Sequence, residues 1–306
     1  MKKRIYLDGF KTLKEKKKYD KISDNLDQKY EEYKRDNFIY HMDQMKERHN
    51  IFIAKNKTKP KKKKRLNRIV YKLNNTVQIF RLGTTSNDKI EADKKREIVQ
   101  SYTFSKDQFD HVLNGLKGMK EFFNKANANC LNCPFNSANL GTKFGLCYTM
   151  KFNQYVGFLS SLKSIQKEFK SFDELPEFSK DIQSKIIDIC KDTYVRFGTY
   201  GEPSLHPIEL IENITNICDT WTGYTHQWLR KPELSAYFMA STHNEFQEKN
   251  ARLKGFRSFI ATKDRLDKFI NCPASSEAGY KSTCSKCGLC SGTKGKGNKS
   301  IFILNH

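Results

Sequence analysis

The sequence predicts an α/β fold, a partial or complete parallel (β/α) barrel that follows a basic, mainly helical N-terminal extension. First, β-rich stretches alternate with helical stretches after the first cysteines, which favours parallel strands joined by right-handed crossovers. Second, nearly every predicted strand ends in polar or reactive residues. In parallel α/β architectures the carboxyl ends of the strands converge on one face, and that face is where active sites are built.

The N-terminal region, residues 1–68, is dense in both acids and bases and ends in the basic run KTKPKKKKRLNR. We predict an extension and linker there, and one domain over residues 69–306. The net charge of +22 favours a polyanionic partner. We therefore expect nucleic acid to bind the basic region, with a merely solvated linker as the alternative. The chain has no apolar run of transmembrane length and no secretory signal, which predicts a cytoplasmic protein without a membrane partner.

Within the domain, RIVYKLNNTVQIFRLG predicts a β-hairpin that turns at Asn74 and Asn75. A helix is predicted after the first cysteines because apolar residues recur at helical spacing. These residues are Phe152, Val156, Leu159, Leu162, Ile165 and Phe169. Later strands are predicted in YVRFGTYG, TGYTHQW, AYFMAST, FRSFIAT, KFINCPAS and SIFILNH, and helices in HPIELIENITNICD and HNEFQEKNARLKG.

Polar residues follow these strands repeatedly, and the repetition favours one shared site over chance. The strand-end residues are Gly201 with Glu202, His226, Ser241 with Thr242, Thr262, Cys272 with Ser275, and His306.

The first cysteine group lies in CLNCPFNSANLGTKFGLCY and comprises Cys130, Cys133 and Cys147. Two thiolates at CxxC spacing can reach one tetrahedral metal from a single turn. No fourth cysteine or histidine lies nearby in the sequence. Either a distant residue closes a structural zinc site, or the fourth position is open.

The second cysteine group lies in CPASSEAGYKSTCSKCGLC and supplies four thiols, from Cys272, Cys284, Cys287 and Cys290. Its compact CxxCxxC end resembles the spacing of iron–sulfur ligands, and zinc is the alternative. The glycines that follow predict a tightly wrapped loop. Cys190 and Cys218, on apolar helical stretches, are predicted to be packing residues.

The stretch TYGEP, with Gly201, Glu202 and Pro203, resembles the GGEP-like motif of the radical S-adenosylmethionine enzymes. In that superfamily three cysteines after the first barrel strand hold an iron–sulfur cluster, and the GGEP-like motif closes the second strand. There the glycine lets the backbone approach the ligand, and the carboxylate pairs with the ammonium group of S-adenosylmethionine.

The resemblance implies that the first cysteine group binds a cluster and that Glu202 holds the cofactor. Together with the strand-end positions, it makes Glu202 and His226 the candidate catalytic residues. Cofactor-binding residues implied in the same way are Gly201, Glu202, Ser241 and Tyr148. The cysteine spacing departs from the CxxxCxxC of that superfamily, because a long gap precedes Cys147 and Tyr148 follows that cysteine instead of preceding it.

A closer resemblance is to a bacteriophage protein family without an assigned activity, and it covers about residues 125–306. The shared motifs here are GTYGEP, GYTHQW, MAS, the CPAS to GLC segment that holds the second cysteine group, and the SI that follows it. The radical S-adenosylmethionine resemblance implies an iron–sulfur enzyme, with the second cysteine group as an auxiliary cluster. Its substrate stays open, and the net charge of +22 favours a nucleotide or nucleic acid. The alternative is a zinc-stapled nucleic-acid-binding phage protein that is not an enzyme.

Several other side chains have two open roles. His226 is either a buried structural histidine or a ligand or proton-transfer group. Tyr224 and Trp228 either stack on a base or belong to the core. Arg196 and Arg257 either meet phosphate or carboxylate or form surface ion pairs.

Overall fold

Two sheets, both rich in parallel strands, organise the domain. The computed structural model describes residues 67–116, 118–136, 147, 149 and 152–304, all within the unit Leu66–His306. The predicted N-terminal extension therefore lies outside the described residues, apart from its last two positions. Tyr148 and His306 also lie outside them.

The first sheet combines an antiparallel hairpin with parallel strands. Its strands, in spatial order, are β1 (Arg68–Leu73), β2 (Thr76–Gly83), β3 (Ile98–Ser105), β4 (Tyr194–Tyr200) and β5 (Thr220–Thr222). Pairing is antiparallel from β1 to β3 and parallel from β3 to β5. The predicted hairpin is confirmed, because Leu73 pairs with Thr76 across a turn in which Asn74 has a φ of 50°.

Strand β3 was not predicted, although it joins the hairpin to the parallel strands. Three of the side chains buried in its sequence IVQSYTFS are polar, namely Ser101, Thr103 and Ser105. The sequence therefore lacks the apolar pattern that identifies a core strand. Thr103 donates to Gln78 Oε1 (2.7 Å), so neighbouring β2 satisfies the buried hydroxyl.

The second sheet is parallel throughout. Its order is β6 (Tyr224–Thr225), β7 (Met239–Thr242), β8 (Ser258–Thr262), β10 (Ile301–Leu304) and β9 (Ile270–Asn271). Only Gly223 separates β5 from β6, so one chain segment ends the first sheet and begins the second. A Cβ at Gly223 would lie 2.5 Å from Phe238 Cδ1, which explains the glycine.

Helices cover both faces of the first sheet. The described helices are α1 (Lys106–Leu113), α2 (Met119–Asn124), α3 (Asn127–Cys130), α4 (Phe152–Gln166), α5 (Lys180–Cys190), α6 (Ile208–Ile217), α7 (Glu245–Leu253) and α8 (Cys284–Cys287). Of these, α7 packs on β7 and β8 of the second sheet. Helices α5 and α6 pack on one core with Ile69 and Tyr71, and α1, α2 and α4 pack on a second core with Val70. The predicted helices at α4, α6 and α7 are confirmed. In the part of the chain that the structure describes, no helix has the length and apolar character needed to span a bilayer.

Packing shifts the predicted stripe of α4 by part of a turn. Leu162 and Ile165 are buried as predicted, but Tyr155 and Phe158 complete the buried side, while Val156 is half-buried. Aromatic residues of the second core, including Phe104 and Phe123, lie against Phe158. The wider apolar face of this helix was therefore visible in the sequence only in part.

Candidate functional site

Three of the predicted strand-end residues, Glu202, His226 and Ser241, come together because their strands are parallel neighbours, whereas Cys272 lies with the second cysteine group. Glu202 follows β4, His226 follows β6, and Ser241 lies near the end of β7. The Ser241 carbonyl accepts a hydrogen bond from Trp228 Nε1 (3.3 Å). Because the Trp228 indole is buried in the core, the structure favours the core role of Trp228 over base stacking. The shared strand-end edge is the candidate functional site.

Gly201 allows β4 to pass close to β3. Its φ is +81°, and a Cβ there would lie 2.6 Å from the carbonyl oxygen of Thr103. The next amide, that of Glu202, donates to the carbonyl of Asn129 (2.8 Å), and the Asn129 side chain donates to the Thr103 carbonyl (2.9 Å). The TYGEP segment is thereby tied to α3, which carries Cys130.

The Glu202 carboxylate is buried and held by backbone donors. The amide of Ser204 donates to Oε1 (3.3 Å), and the amide of His226 donates to Oε2 (3.0 Å). Burial raises the pKa of Glu202, while the hydrogen bonds from Thr225, His226 and Ser204 oppose that shift. The carboxylate is therefore pre-oriented at the strand ends.

The first cysteine group lies against this carboxylate. Cys130 ends α3, and a turn in which the Cys133 amide donates to the Cys130 carbonyl (3.0 Å) leads to the second thiol. The pKa of Cys130 is well above its usual value because of burial, and because Cys133, Cys147 and Glu202 add negative charge nearby. Burial likewise raises the pKa of Cys133 to about 12. The fold thus brings the three predicted cysteines and Glu202 into one electrostatic neighbourhood.

His226 supplies a fourth side chain that spacing could not place. Its Nε2 lies 3.9 Å from Cys133 Sγ, and its Nδ1 lies 3.9 Å from Glu202 Oε2. Burial lowers the pKa of His226 to about 4, so the imidazole is neutral at neutral pH.

His243 is a site residue that the sequence reasoning missed. Its ring centroid lies 5.7 Å from that of His226 in a stacked arrangement and 4.5 Å from that of Phe135, which follows Cys133 in the first cysteine loop. Burial, and then the charge of His226, lower its pKa to about 4. In the sequence, His243 directly follows the strand-end residues Ser241 and Thr242, which could have marked it as a site residue. It also begins the predicted helix HNEFQEKNARLKG, which favours a structural role instead.

The second cysteine group lies at the opposite ends of the strands. Cys284 packs with Ile98 and Tyr194, the first residues of β3 and β4, whereas Glu202 follows the last residue of β4. Burial raises the pKa values of Cys272, Cys284 and Cys290, and the thiols of the group raise one another's. The two cysteine groups therefore belong to separate sites.

Positive and donor groups surround these four thiols. The Tyr224 hydroxyl hydrogen-bonds to Cys290, and its ring packs on the core cluster that holds Cys290, which favours the core role over base stacking. Lys89 and Arg196 oppose the rise in the pKa of Cys284 through their positive charge. Burial dominates, so these groups reduce the preference for the protonated thiols without reversing it.

Arg257 organises the loop that carries the second cysteine group. Its buried guanidinium donates to the carbonyls of Leu289 (2.6 Å), Gly292 (2.7 Å), Lys296 (2.9 Å) and Lys299 (3.1 Å). Both predicted roles for Arg257 were wrong, because backbone carbonyls and not an acid or phosphate satisfy its donors. The tight loop wrap is confirmed, with positive φ at Gly288, Gly292 and Gly297.

All of the cysteines that the structure describes are free thiols. Cys190 is buried in the first core as predicted, and Cys218 is partly buried against it. Across the described ranges, no three His, Cys, Asp or Glu side chains already stand as a metal-binding group. No protein-family model matches the sequence, and comparison with curated proteins and with solved structures finds no significant match.

Proposed function

We propose that this chain is an iron–sulfur enzyme of the radical S-adenosylmethionine type that acts on a nucleotide or nucleic acid. The observation that carries the proposal is the buried carboxylate of Glu202, held beside Cys130 and Cys133 at the carboxyl ends of parallel strands. Strand order adds support. Parallel strands follow one another in the order β3, β4, β5 in the first sheet and β6, β7, β8, β10 in the second, an order that suits an open or closed barrel.

The donor chemistry of the first cysteine group suits a cluster. Three soft sulfur ligands, from Cys130, Cys133 and Cys147, would hold it and leave one iron open to a small molecule. When bound, the cluster supplies the electron for reductive cleavage of S-adenosylmethionine. Burial raises the pKa of Cys130 and of Cys133, so both thiols are protonated when no cation is bound. Metal binding would therefore release protons from them.

The chain's own residues would position the cofactor. Glu202 accepts two backbone hydrogen bonds, which fix its orientation, and its burial strengthens pairing with an ammonium group. Gly201 lets β4 approach the Thr103 carbonyl of β3, which places Glu202 at the strand ends, and Ser241 lies near the end of β7. The neutral ring of His226 lies 3.9 Å from Cys133 Sγ and 3.9 Å from Glu202 Oε2, so it would border the bound cofactor.

The second cysteine group would hold an auxiliary cluster. Its four thiols lie among Lys89, Arg196 and the Tyr224 hydroxyl, which offset the negative charge that four thiolates would bring. Zinc bound to four thiolates would need the same positive groups to offset the thiolate charge. Zinc is the alternative metal at this site.

A second candidate function is a zinc-stapled nucleic-acid-binding protein without catalysis, and the 3.9 Å distance between His226 Nε2 and Cys133 Sγ favours it. Two ligands at about 2.3 Å and about 2.1 Å from a tetrahedral zinc ion stand roughly 3.6 Å apart. His226 would then be the fourth ligand that the sequence left open. In both candidates the basic region within residues 1–68 would contact nucleic acid, and the phage resemblance would place that contact in the host cytoplasm.

The deciding experiment uses full-length protein purified without oxygen. Visible spectra, together with iron, sulfide and zinc content, are compared for wild type, Cys130→Ala/Cys133→Ala, Cys287→Ala/Cys290→Ala and the control Cys190→Ala. The proposal expects brown protein that loses a separate increment of iron in each double variant, and methionine release from S-adenosylmethionine only while the first group is intact. Colourless protein with stoichiometric zinc, lost on His226→Ala substitution, would establish the second candidate instead.

A further inference from the structure

His243 has hydrogen-bonding capacity that the protein leaves unused. Among the residues that the structure describes, neither ring nitrogen has a hydrogen-bond partner, and both are shielded from solvent. The His243 backbone amide, by contrast, is occupied by the Gln247 side chain (2.9 Å), which anchors the residue at the start of α7. A neutral imidazole presents one N–H donor and one lone pair, and leaving both unpaired in a buried site is costly.

The missing partner is an uncharged group that can both donate and accept. The two charged side chains that follow β6 are already engaged: the Arg230 guanidinium donates to the Asn132 side-chain oxygen (2.8 and 2.5 Å) once that amide is oriented to accept, and Lys231 donates to the Ser204 carbonyl (2.6 Å). Glu202 accepts from its backbone donors. The side chain next to His243, that of Thr242, also has a buried oxygen without a partner in the described part of the chain.

Ring surfaces and overall charge narrow the chemical class of this ligand. Phe135, His243 and His226 form a series of rings with centroid separations of 4.5 and 5.7 Å, beside the first cysteine group. Planar rings next to unsatisfied donors and acceptors suit a heteroaromatic base. The net charge of +22 favours a polyanion that carries such bases.

We infer that His243 contacts a nucleobase of the substrate through its ring nitrogens, at the end of β7 beside the first cysteine group. This inference rests on the proposed function, because it names the substrate class of that same site. Through this contact the protein would bind a strand that carries bases more tightly than a sugar-phosphate backbone without them. Phosphate contacts alone carry no such distinction.

The test measures direct binding and does not depend on turnover. Fluorescence anisotropy gives the dissociation constants of full-length, anaerobically purified protein for a labelled single-stranded oligonucleotide and for the same strand with abasic sites, at one fixed salt concentration. Wild type, His243→Phe and His243→Gln are compared. Phenylalanine keeps a ring against Phe135 and His226 but removes both nitrogens, whereas glutamine restores one donor and one acceptor.

His111→Phe is the matched control. His111 is also a buried histidine whose ring nitrogens lack partners in the described residues, but it lies on α1 beside Phe122, in the second core. Iron content and melting temperature are recorded for every variant, so that a folding defect is recognised. If His243→Phe unfolds, the comparison of His243→Gln with wild type carries the test.

Wild type should bind the base-bearing strand about five- to tenfold more tightly than the abasic strand, the range of one or two neutral hydrogen bonds. His243→Phe should reduce that ratio towards one without weakening abasic binding, His243→Gln should restore part of it, and His111→Phe should keep it. Equal wild-type affinities, no binding of either strand, or an unchanged ratio in His243→Phe would overturn the inference. A brown protein that cleaves S-adenosylmethionine but does not discriminate bases would overturn this inference alone, whereas a zinc protein would overturn the proposed function.

Discussion

Replacing Arg257 with methionine should unfold the loop of the second cysteine group, because one guanidinium holds four carbonyls of residues 289–299. Hydrogen bonds from a charged donor contribute about 1.5–3 kcal/mol each. The cost of burying the cation offsets several kcal/mol of that sum, since the side chain is only 6% exposed. We therefore expect Arg257→Met to lower the free energy of unfolding by about 3–5 kcal/mol, a large share of the roughly 5–15 kcal/mol of a typical protein.

Urea denaturation of anaerobically purified protein measures this loss, and limited proteolysis reports whether residues 289–299 become accessible. Arg265→Met is the control, because that side chain is 76% exposed and pairs at 2.9 Å with Asp267, which is 85% exposed. An exposed pair of this kind contributes less than about 1 kcal/mol. The metal content of the second cysteine group should fall in Arg257→Met only. A loss of unfolding free energy below about 1 kcal/mol in Arg257→Met would show that the four bonds do not hold the loop.

Two further substitutions test the site and its support. Gly201→Ala should lower the free energy of unfolding by more than about 2 kcal/mol, because of the +81° φ and the 2.6 Å approach of a Cβ to the Thr103 carbonyl. Gly83→Ala is its control, since no atom lies within 4 Å of a Cβ there, and equal urea midpoints for the two variants would contradict the steric argument. Burial lowers the pKa of His206 to about 3 from an ordinary 6.5, so this histidine's contribution to stability is full above pH 6.5 and is lost as the pH falls towards 3. His206→Phe should therefore reduce the slope of unfolding free energy against pH by up to about 1.4 kcal/mol per pH unit between pH 6.5 and pH 5, and an unchanged slope would show that folding does not lower the pKa of His206.

The strand-end residues of the candidate site were readable in the sequence because they follow β-rich stretches directly. Glu202 and His226 stand where the alternation of strand and helix placed them, and the hairpin at Asn74 has local turn chemistry. The two cysteine groups were equally visible, since ligand spacing is a local property. For these features, neighbours in sequence carry most of the information.

Other features depended on contacts between distant segments. His206 directly precedes Pro207, a sequence typical of a turn, but its ring nitrogens lie 3.2 Å from the Tyr71 hydroxyl and 3.3 Å from Ser101 Oγ, on two other strands. The partners of Arg257 are carbonyls that carry no side-chain signal at all. Strand β3 buries polar side chains, so hydrophobic pattern could not identify it.

The sequence by itself determined the α/β class, the strand ends and the composition of both cysteine groups, because hydrophobic periodicity and short spacings are local. Only the tertiary structure decided that His226 reaches Cys133, that His243 stacks on His226, and that the two cysteine groups lie at opposite ends of β4. These contacts arise because parallel pairing aligns the ends of strands that lie far apart in the chain.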